Sequence, residues 1–154
     1  MKNKRIRAVS FNNRRKEIEV TYATGKKLNV HYGQLGIKKT VAKAWVDTET
    51  NCQSVAFAFN DGTVDYMPYD QPLALNRDPE YLLQTQIEEL TAKIKCELSK
   101  RKISKRFLAK QLKTSDNQVH RLLNPTILNK NLEQLCRIAE VLELEVEIRL
   151  RKVA

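Results

Sequence analysis

The sequence lacks the residues and runs that mark several common protein classes. It has three cysteines, Cys52, Cys96 and Cys136, which lie far apart and form no CxxC pair. An odd number of scattered cysteines argues against a disulfide scaffold, so we expect free thiols that pack as small buried hydrophobic residues. No run of 18 apolar residues occurs, and the basic N-terminus has no long apolar core. These features predict a cytoplasmic protein with reduced thiols and no membrane span.

The residues that carry most enzyme and metal chemistry are also scarce. The two histidines are His31, in a predicted strand, and His120. There is no HExxH, Walker loop, GxGxxG or Cys/His quartet with metal-binding spacing. Asp61, Asp65 and Asp70 are close in sequence, but such acids are usually solvated. We therefore predict that the chain is not an enzyme and holds no cofactor and no metal.

Positive charge, by contrast, is abundant and clustered. The 154 residues carry a net charge of +10, and 42% of them are hydrophobic, enough for a packed core. Between Lys95 and Arg121 there are nine basic and two acidic residues, a local net charge of +7. Contact with phosphate groups requires such a cluster.

Residues 1–78 are predicted to form a small antiparallel β-rich domain. In one candidate strand Ile18, Val20 and Tyr22 alternate with polar residues, as expected for a strand with one buried face. Asp61-Gly62 indicates a hairpin with a two-residue turn. The candidate strands, which together suggest one meander, are residues 5–11, 16–22, 27–32, 40–47, 53–60 and 63–67. We expect a short helical turn or a loop at 33–39 and an irregular segment at 66–79.

Residues 79–154 are predicted to form a helical domain that ends in a strand. Asp78 can cap a long helix that begins at Pro79 and runs to about residue 102. Its apolar stripe predicts an intramolecular core, with a dimer seam as the alternative; the stripe consists of Leu83, Ile87, Leu90, Ile94 and Leu98. The alternating tail at 143–153 predicts a strand that must pair with the β domain or with another subunit.

Residues 104–125, SKRFLAKQLKTSDNQVHRLLNP, predict two short helices joined by a tight turn. Ser115 can cap the second helix, and Asp116 suits the positive end of its dipole. The apolar residues expected to face inward are Phe107, Leu108 and Leu112 in the first helix and Val119, Leu122 and Leu123 in the second. A third helix at 131–142 is expected to turn Leu132, Leu135, Cys136, Ala139 and Leu142 inward.

The second helix leaves polar side chains outward. Asn, Gln and Arg can each bond two groups on one base edge. The layout is therefore that of a helix-turn-helix reader of the DNA major groove, and an ordinary helical hairpin with a solvated polar face is the alternative. The exposed candidates are Asn117, Gln118, His120 and Arg121.

Residues 94–142 resemble the lambda-repressor/Cro-type helix-turn-helix family, through RKIS, FLAKQL, the Thr-Ser turn, NQVHRLL and NLEQLCRIAEVL. The resemblance implies five helices and DNA contact by the second helix of the motif. It implies that Asn117, Gln118 and Arg121 contact bases, with Asp116 and His120 as further candidates. The phosphate contacts that it implies are Thr114, Ser115, Lys105, Arg106 and Lys113. The chain departs from the family in having Lys113 and Asn124-Pro125 where glycines are usual.

Two functional hypotheses follow. The first is an α+β transcriptional regulator, a homodimer that binds double-stranded DNA with two-fold symmetry. The second is a protein-interaction module, since RLLNP, KNLEQL and LEVEIRL are also similar to the C-terminal half of some antitoxins. In that case the β domain binds a partner protein, and DNA binding serves autoregulation.

Overall fold

The computed structural model describes residues 4–153 and divides them into two units, residues 4–82 and residues 83–153. The boundary lies a few residues into a long helix that begins at Pro79. In residues 4–153 every helix is too short or too polar to cross a membrane, and no group of three or more His, Cys, Asp or Glu side chains could hold a metal ion. The architecture is mixed α+β.

Two three-stranded antiparallel sheets form most of the first unit, in the orders β1-β2-β3 and β4-β5-β6. The strands are β1 (Ile6–Asn12), β2 (Glu17–Tyr22), β3 (Lys27–His31), β4 (Val41–Asp47), β5 (Ser54–Phe59) and β6 (Val64–Pro68). The prediction of a single meander was wrong. A 3-10 helix at Tyr32–Leu35 ends β3 one residue earlier than predicted, and β3 does not pair with β4.

The core of the first unit comes from alternating strand residues, as predicted. Ile18, Val20 and Tyr22 are fully buried. Each faces an apolar residue of a neighbouring strand: Val30 is opposite Ile18, Leu28 is opposite Val20, and Ile6 is opposite Tyr22. The hydroxyl of Tyr22 donates a hydrogen bond to the carbonyl oxygen of Tyr69 (2.6 Å). Burial, followed by the charge of nearby carboxylates, raises the pKa of Tyr22 far above its usual value. The hydroxyl therefore stays neutral inside the core.

The hairpin between β5 and β6 forms at Asp61-Gly62, but its loop has one more residue than predicted. Phe59 N donates to Thr63 O and Gly62 N donates to Phe59 O, which leaves three residues in the loop. Gly62 has φ +82°, the left-handed angle that completes a three-residue hairpin with a bulge. The Asp-Gly signal therefore located the turn correctly and misjudged its length.

A short helix replaces part of the segment that was predicted to be irregular. This helix, α1, spans Asp70–Leu75 and is followed by α2, Pro79–Lys100. Asp78 caps α2 as predicted, because its Oδ1 accepts from Tyr81 N at 3.1 Å. Its Oδ2 lies 2.5 Å from the Lys26 ammonium. Burial is the largest single influence and opposes ionisation of Asp78, but the hydrogen bonds from Lys26 and from the backbone of α2, together with the charge of Lys26, outweigh it and hold the pKa below its usual value.

The second unit packs four helical segments around one core. After α2 come α3 (Lys105–Gln111), α4 (Asp116–Leu123) and α5 (Leu132–Val141). The resemblance implied five helices in 94–142, but the structure has four there, because 124–131 is a loop. The buried side chains of this core are Ile94, Leu98, Leu108, Ala109, Leu112, Val119, Leu122, Leu123, Leu135, Ile138 and Leu142.

Several residues expected to be inside are outside. Phe107 is 45% exposed, and Leu132 and Leu83 are exposed to a similar degree. Cys136 and Cys96 are exposed as well. The inward stripe of α5 instead runs through Leu135, Ile138 and Ala139 and continues to Leu142, the residue that follows the helix. A helix of ten residues buries only one stripe, and the spacing of this stripe excludes position 136.

The predicted C-terminal strand is not formed in the structure. Residues 145–153 lie in no helix and pair in no sheet, and their backbone groups make no hydrogen bond within residues 4–153. Leu144 N still donates to Ala139 O at 2.8 Å, which ends α5. The alternation of the tail is present in the sequence, but the strand has no partner here.

Candidate nucleic-acid interface

The turn between α3 and α4 is a tight helix-terminating motif. Thr114 N donates to Ala109 O (2.9 Å), and Lys113 N donates to Lys110 O (3.3 Å). These are the two hydrogen bonds of a Schellman motif, in which the first residue after the helix cap has a left-handed conformation. Lys113 is that residue, with φ +51°. The sequence therefore puts a lysine at an angle that usually favours glycine, as was expected from the departure at this position.

Each helix of the pair begins at a serine cap. Ser104 Oγ accepts from Phe107 N at 3.1 Å, and Ser115 Oγ accepts from Gln118 N at 3.2 Å. The cap at Ser115 was predicted, and the structure confirms it. Asp116 follows at the first position of α4, where a carboxylate is favoured by the helix dipole. The start of α4 is therefore fixed by local sequence.

Helix α4 has one buried side and one polar side. Val119, Leu122 and Leu123 are fully buried against α3 and α5, as predicted. The candidate base contacts Asp116, Asn117, His120 and Arg121 are all exposed. The side chains of Asn117 and Arg121 have no hydrogen-bond or ion-pair partner within residues 4–153. They can therefore reach a ligand without giving up a contact in the protein.

Gln118 differs from the other candidates. It is half-buried, and its Nε2 donates to Oε1 of Gln134 on α5 at 3.1 Å. One end of its amide is thus already occupied, and its other groups remain available. Glutamine-mediated orientation of this kind was not anticipated from the sequence, because Gln134 lies in a different helix.

Two further candidates lie together. Lys105 Nζ lies 3.4 Å from Nδ1 of His120, so the start of α3 approaches the exposed side of α4. Lys105 was a candidate phosphate contact, and His120 a candidate base contact. Their proximity puts a cation at the edge of the polar side of α4.

Most of the clustered cations are not neutralised by the protein. Lys100 and Arg101 contact Glu97, and Arg101 also contacts Glu143. The remaining basic residues on or beside α3 and α4 have no carboxylate within 4.0 Å among residues 4–153; they are Lys102, Lys105, Arg106, Lys110, Lys113 and Arg121. Of the other phosphate candidates, Thr114 is half-buried, and the Ser115 hydroxyl is committed to its cap.

A cleft borders the same side of α4. The residues that line it opposite α4, Asn129 to Asn131, were not predicted from the sequence. The cleft has a volume of about 400 Å³ and is lined by Gln118, Arg121, Leu122, Asn129, Lys130 and Asn131. Lys130 Nζ donates to Arg121 O (2.6 Å) and to Asn124 O (2.5 Å), so its ammonium satisfies the last carbonyls of α4. Burial, with a smaller effect of Lys95, lowers the pKa of Lys130. The only feature of the sequence that could have indicated this part of the cleft is the polar run Asn129-Lys130-Asn131.

Comparison with known proteins gives no relative: no family model, curated protein or solved structure matches the chain.

Proposed function

We propose that the chain is a sequence-specific DNA-binding regulator that inserts α4 into the major groove. One observation carries the proposal: α4 exposes Asn117, His120 and Arg121 on the side away from its core, and unneutralised cations of α3 and the turn flank it. Base edges need side chains with forked or planar polar ends, and phosphates need cations beside them. The two requirements meet on one surface of the second unit.

The roles divide by chemistry. Arg121 can bond O6 and N7 of guanine together, and Asn117 can bond N6 and N7 of adenine. Gln118 reaches the groove while Gln134 holds its amide. Lys105, Arg106 and Lys113 then contact phosphates and set the position of the helix without reading sequence. A dimer presents two such helices about 34 Å apart, one turn of DNA, to a two-fold operator.

Selection from a random-sequence DNA pool tests the proposal. We expect a defined site to be recovered, and Arg121→Ala to weaken binding by about 1–3 kcal/mol while relaxing preference at one position of that site. Lys105→Ala should weaken all sequences alike and reduce the salt slope by roughly one. The control is Arg137→Ala, because this exposed arginine lies on α5 and is paired with Glu133 at 2.7 Å.

The proposal fails if no sequence is enriched. It also fails if Arg121→Ala and Asn117→Ala recover the same site with the affinity of the unmodified protein. An effect of Arg137→Ala equal to that of Arg121→Ala would show that the binding is general attraction between cations and DNA, and would remove α4 from the assignment.

A further inference from the structure

The segment 145–153 has the alternating sequence of a strand but pairs with no other strand in the structure. Ile148 is 68% exposed and Leu150 is 99% exposed, and no backbone group of this segment is hydrogen-bonded within residues 4–153. An alternating segment with an apolar side and free backbone groups can pair with the edge of another strand.

The charges of the segment are ordered along its length. Glu145 and Glu147 come first, and Arg149 and Arg151 follow, all at alternate positions. Nε of Arg149 lies 2.5 Å from Oε1 of Glu147, so these two side chains already lie on the same side of the chain. The other side carries Val146, Ile148 and Leu150 and ends in Lys152. Because an acidic half precedes a basic half, the segment is complementary in charge to a second copy that runs in the opposite direction.

We propose that this segment pairs with the same segment of a second copy, antiparallel, about a two-fold axis at Ile148. Residues i and j are then opposite each other when they are equally far from Ile148. Glu147 faces Arg149 of the second copy, and Glu145 faces Arg151, and each pair occurs twice by symmetry. On the other side Val146 faces Leu150, and the two Ile148 side chains face each other. Opposite charges and apolar pairs at facing positions both stabilise antiparallel strands.

Neighbouring registers are all worse. With the axis at Glu147 the two Glu147 side chains face each other, although Glu145 still faces Arg149; with the axis at Arg149 the two Arg149 side chains face each other, although Glu147 still faces Arg151. An axis between two residues puts charged side chains opposite apolar ones. A two-residue shift puts Glu145 opposite Glu147, or Arg149 opposite Arg151. A parallel pair in register puts every charge opposite itself. Like charges at facing positions are destabilising, so the order of charges specifies one orientation and one register.

The inference deepens the proposed function, on which it rests for its biological purpose, by naming the surface that joins the two DNA-reading copies. A two-stranded ribbon by itself is marginally stable, so the association should be reversible and sensitive to each charge pair. In the dimer the two intrachain ion pairs between Glu147 and Arg149, one in each chain, are replaced by two equivalent pairs between chains. Little is lost in the exchange, because exposed pairs within a chain contribute weakly.

Charge variants of the full chain test the pairing. The basic variant is Glu145→Arg with Glu147→Arg, and the acidic variant is Arg149→Glu with Arg151→Glu. In analytical ultracentrifugation the unmodified chain should dimerise, whereas each variant alone should dimerise at least about tenfold more weakly, since four attractive pairs become repulsive. A mixture of the two variants should form heterodimers, because every facing pair is attractive again. Circular dichroism checks that the variants remain folded.

Engineered cysteines test the register. With Cys52, Cys96 and Cys136 replaced by serine, Ile148→Cys should form a disulfide-linked dimer under mild oxidation, because facing Cα atoms are about 4.5–5.5 Å apart. Val146→Cys should not link to itself but should link to Leu150→Cys in a mixed sample. Self-linking of Val146→Cys would indicate a parallel pair or an antiparallel pair with its axis at residue 146, and either result would overturn the proposal.

Other outcomes also count against it. A monomeric unmodified chain, or charge variants that dimerise as well as the unmodified chain, would show that another surface or another occupant takes the segment. The result is separable from the proposed function. Failed DNA selection with a dimer that responds to the charge variants overturns only the DNA-binding proposal. A defined DNA site with no effect of the tail variants on dimerisation overturns only the pairing.

Discussion

Gln118 on α4 and Gln134 on α5 are joined through their amides, with Gln118 Nε2 donating to Gln134 Oε1 at 3.1 Å. The bond fixes one amide that faces the cleft beside Arg121. A side chain held in one orientation loses less conformational entropy when it meets a base. In the proposed complex Gln134 is therefore a positioning residue, although it does not contact DNA.

This relationship makes a prediction for Gln134. Gln134→Ala should weaken binding to the selected DNA site by about 0.5–1.5 kcal/mol, the usual net value of one hydrogen bond, and should reduce discrimination at the base that Gln118 contacts. Fluorescence anisotropy with the selected site and with single-base variants measures both effects. Gln134→Glu is the matched control, because it retains the acceptor; an equal loss in both variants would exclude the orienting role.

The left-handed φ of Lys113 predicts that replacing this residue with glycine raises the stability of the fold and weakens DNA binding. Lys113→Gly should raise the free energy of unfolding by about 0.5–1 kcal/mol, because glycine adopts φ +51° without a Cβ clash. This net value already allows for the greater conformational freedom of glycine in the unfolded chain. The same change should weaken DNA binding, since a phosphate contact is removed. Urea denaturation and anisotropy measure the two effects.

Lys113→Ala separates the two contributions. It removes the charge and keeps the Cβ, so it should weaken DNA binding as the glycine variant does and should not stabilise the fold. A stabilised alanine variant would mean that charge repulsion within the basic cluster, and not backbone strain, limits stability here.

The cap of α4 should matter for stability. Ser115→Ala removes the acceptor for Gln118 N and should lower the free energy of unfolding by about 1 kcal/mol. Ser115→Asn provides another side-chain acceptor at the cap and should retain most of the stability. Thermal denaturation followed by circular dichroism measures both. Equal melting temperatures for the alanine variant and the unmodified chain would show that α4 is held by its core residues alone.

Asp78 predicts a dependence of stability on acid. Its pKa is lowered in the folded state, so its contribution is fully present above the unfolded pKa, about 3.9. That contribution is lost as the pH falls through the lower folded value. The charge should contribute about 1 kcal/mol, a modest figure because Lys26 is more than a third exposed.

The measurement is urea denaturation across a pH series. Asp78→Asn can still cap α2 but carries no charge, so it should lose this contribution at neutral pH and lack this component of the acid sensitivity. Asp78→Ala should be less stable still, because it also removes the cap. Indistinguishable pH profiles for the unmodified chain and Asp78→Asn would assign the acid sensitivity to other carboxylates.

Local sequence rules predicted the features that depend on local interactions. The caps at Asp78 and Ser115, the start of α2 at Pro79 and the inward face of α4 all follow from residues within one or two turns. The strand boundaries of the first unit were correct to within one or two residues. Periodicity and capping act over short distances in the chain, so a sequence exposes them directly.

Features that depend on distant residues were predicted less well. Phe107 and Cys136 were assigned inward because they are apolar, but neighbouring positions filled the available core. The contact of Gln118 with Gln134 and the position of Lys130 beneath α4 require the packing of α5 and its preceding loop. The division into two sheets depended on β3 not pairing with β4, which alternation alone does not determine.

The order of the strands has a kinetic consequence. Within each sheet every strand pairs only with its neighbour along the chain, through short turns. The loops that must close to form either sheet are short, so little chain entropy is lost before cross-strand contacts are gained. Each meander can begin as a hairpin and add its third strand. We therefore expect the first unit to refold quickly for a β-rich chain, with docking of the two sheets as its later step.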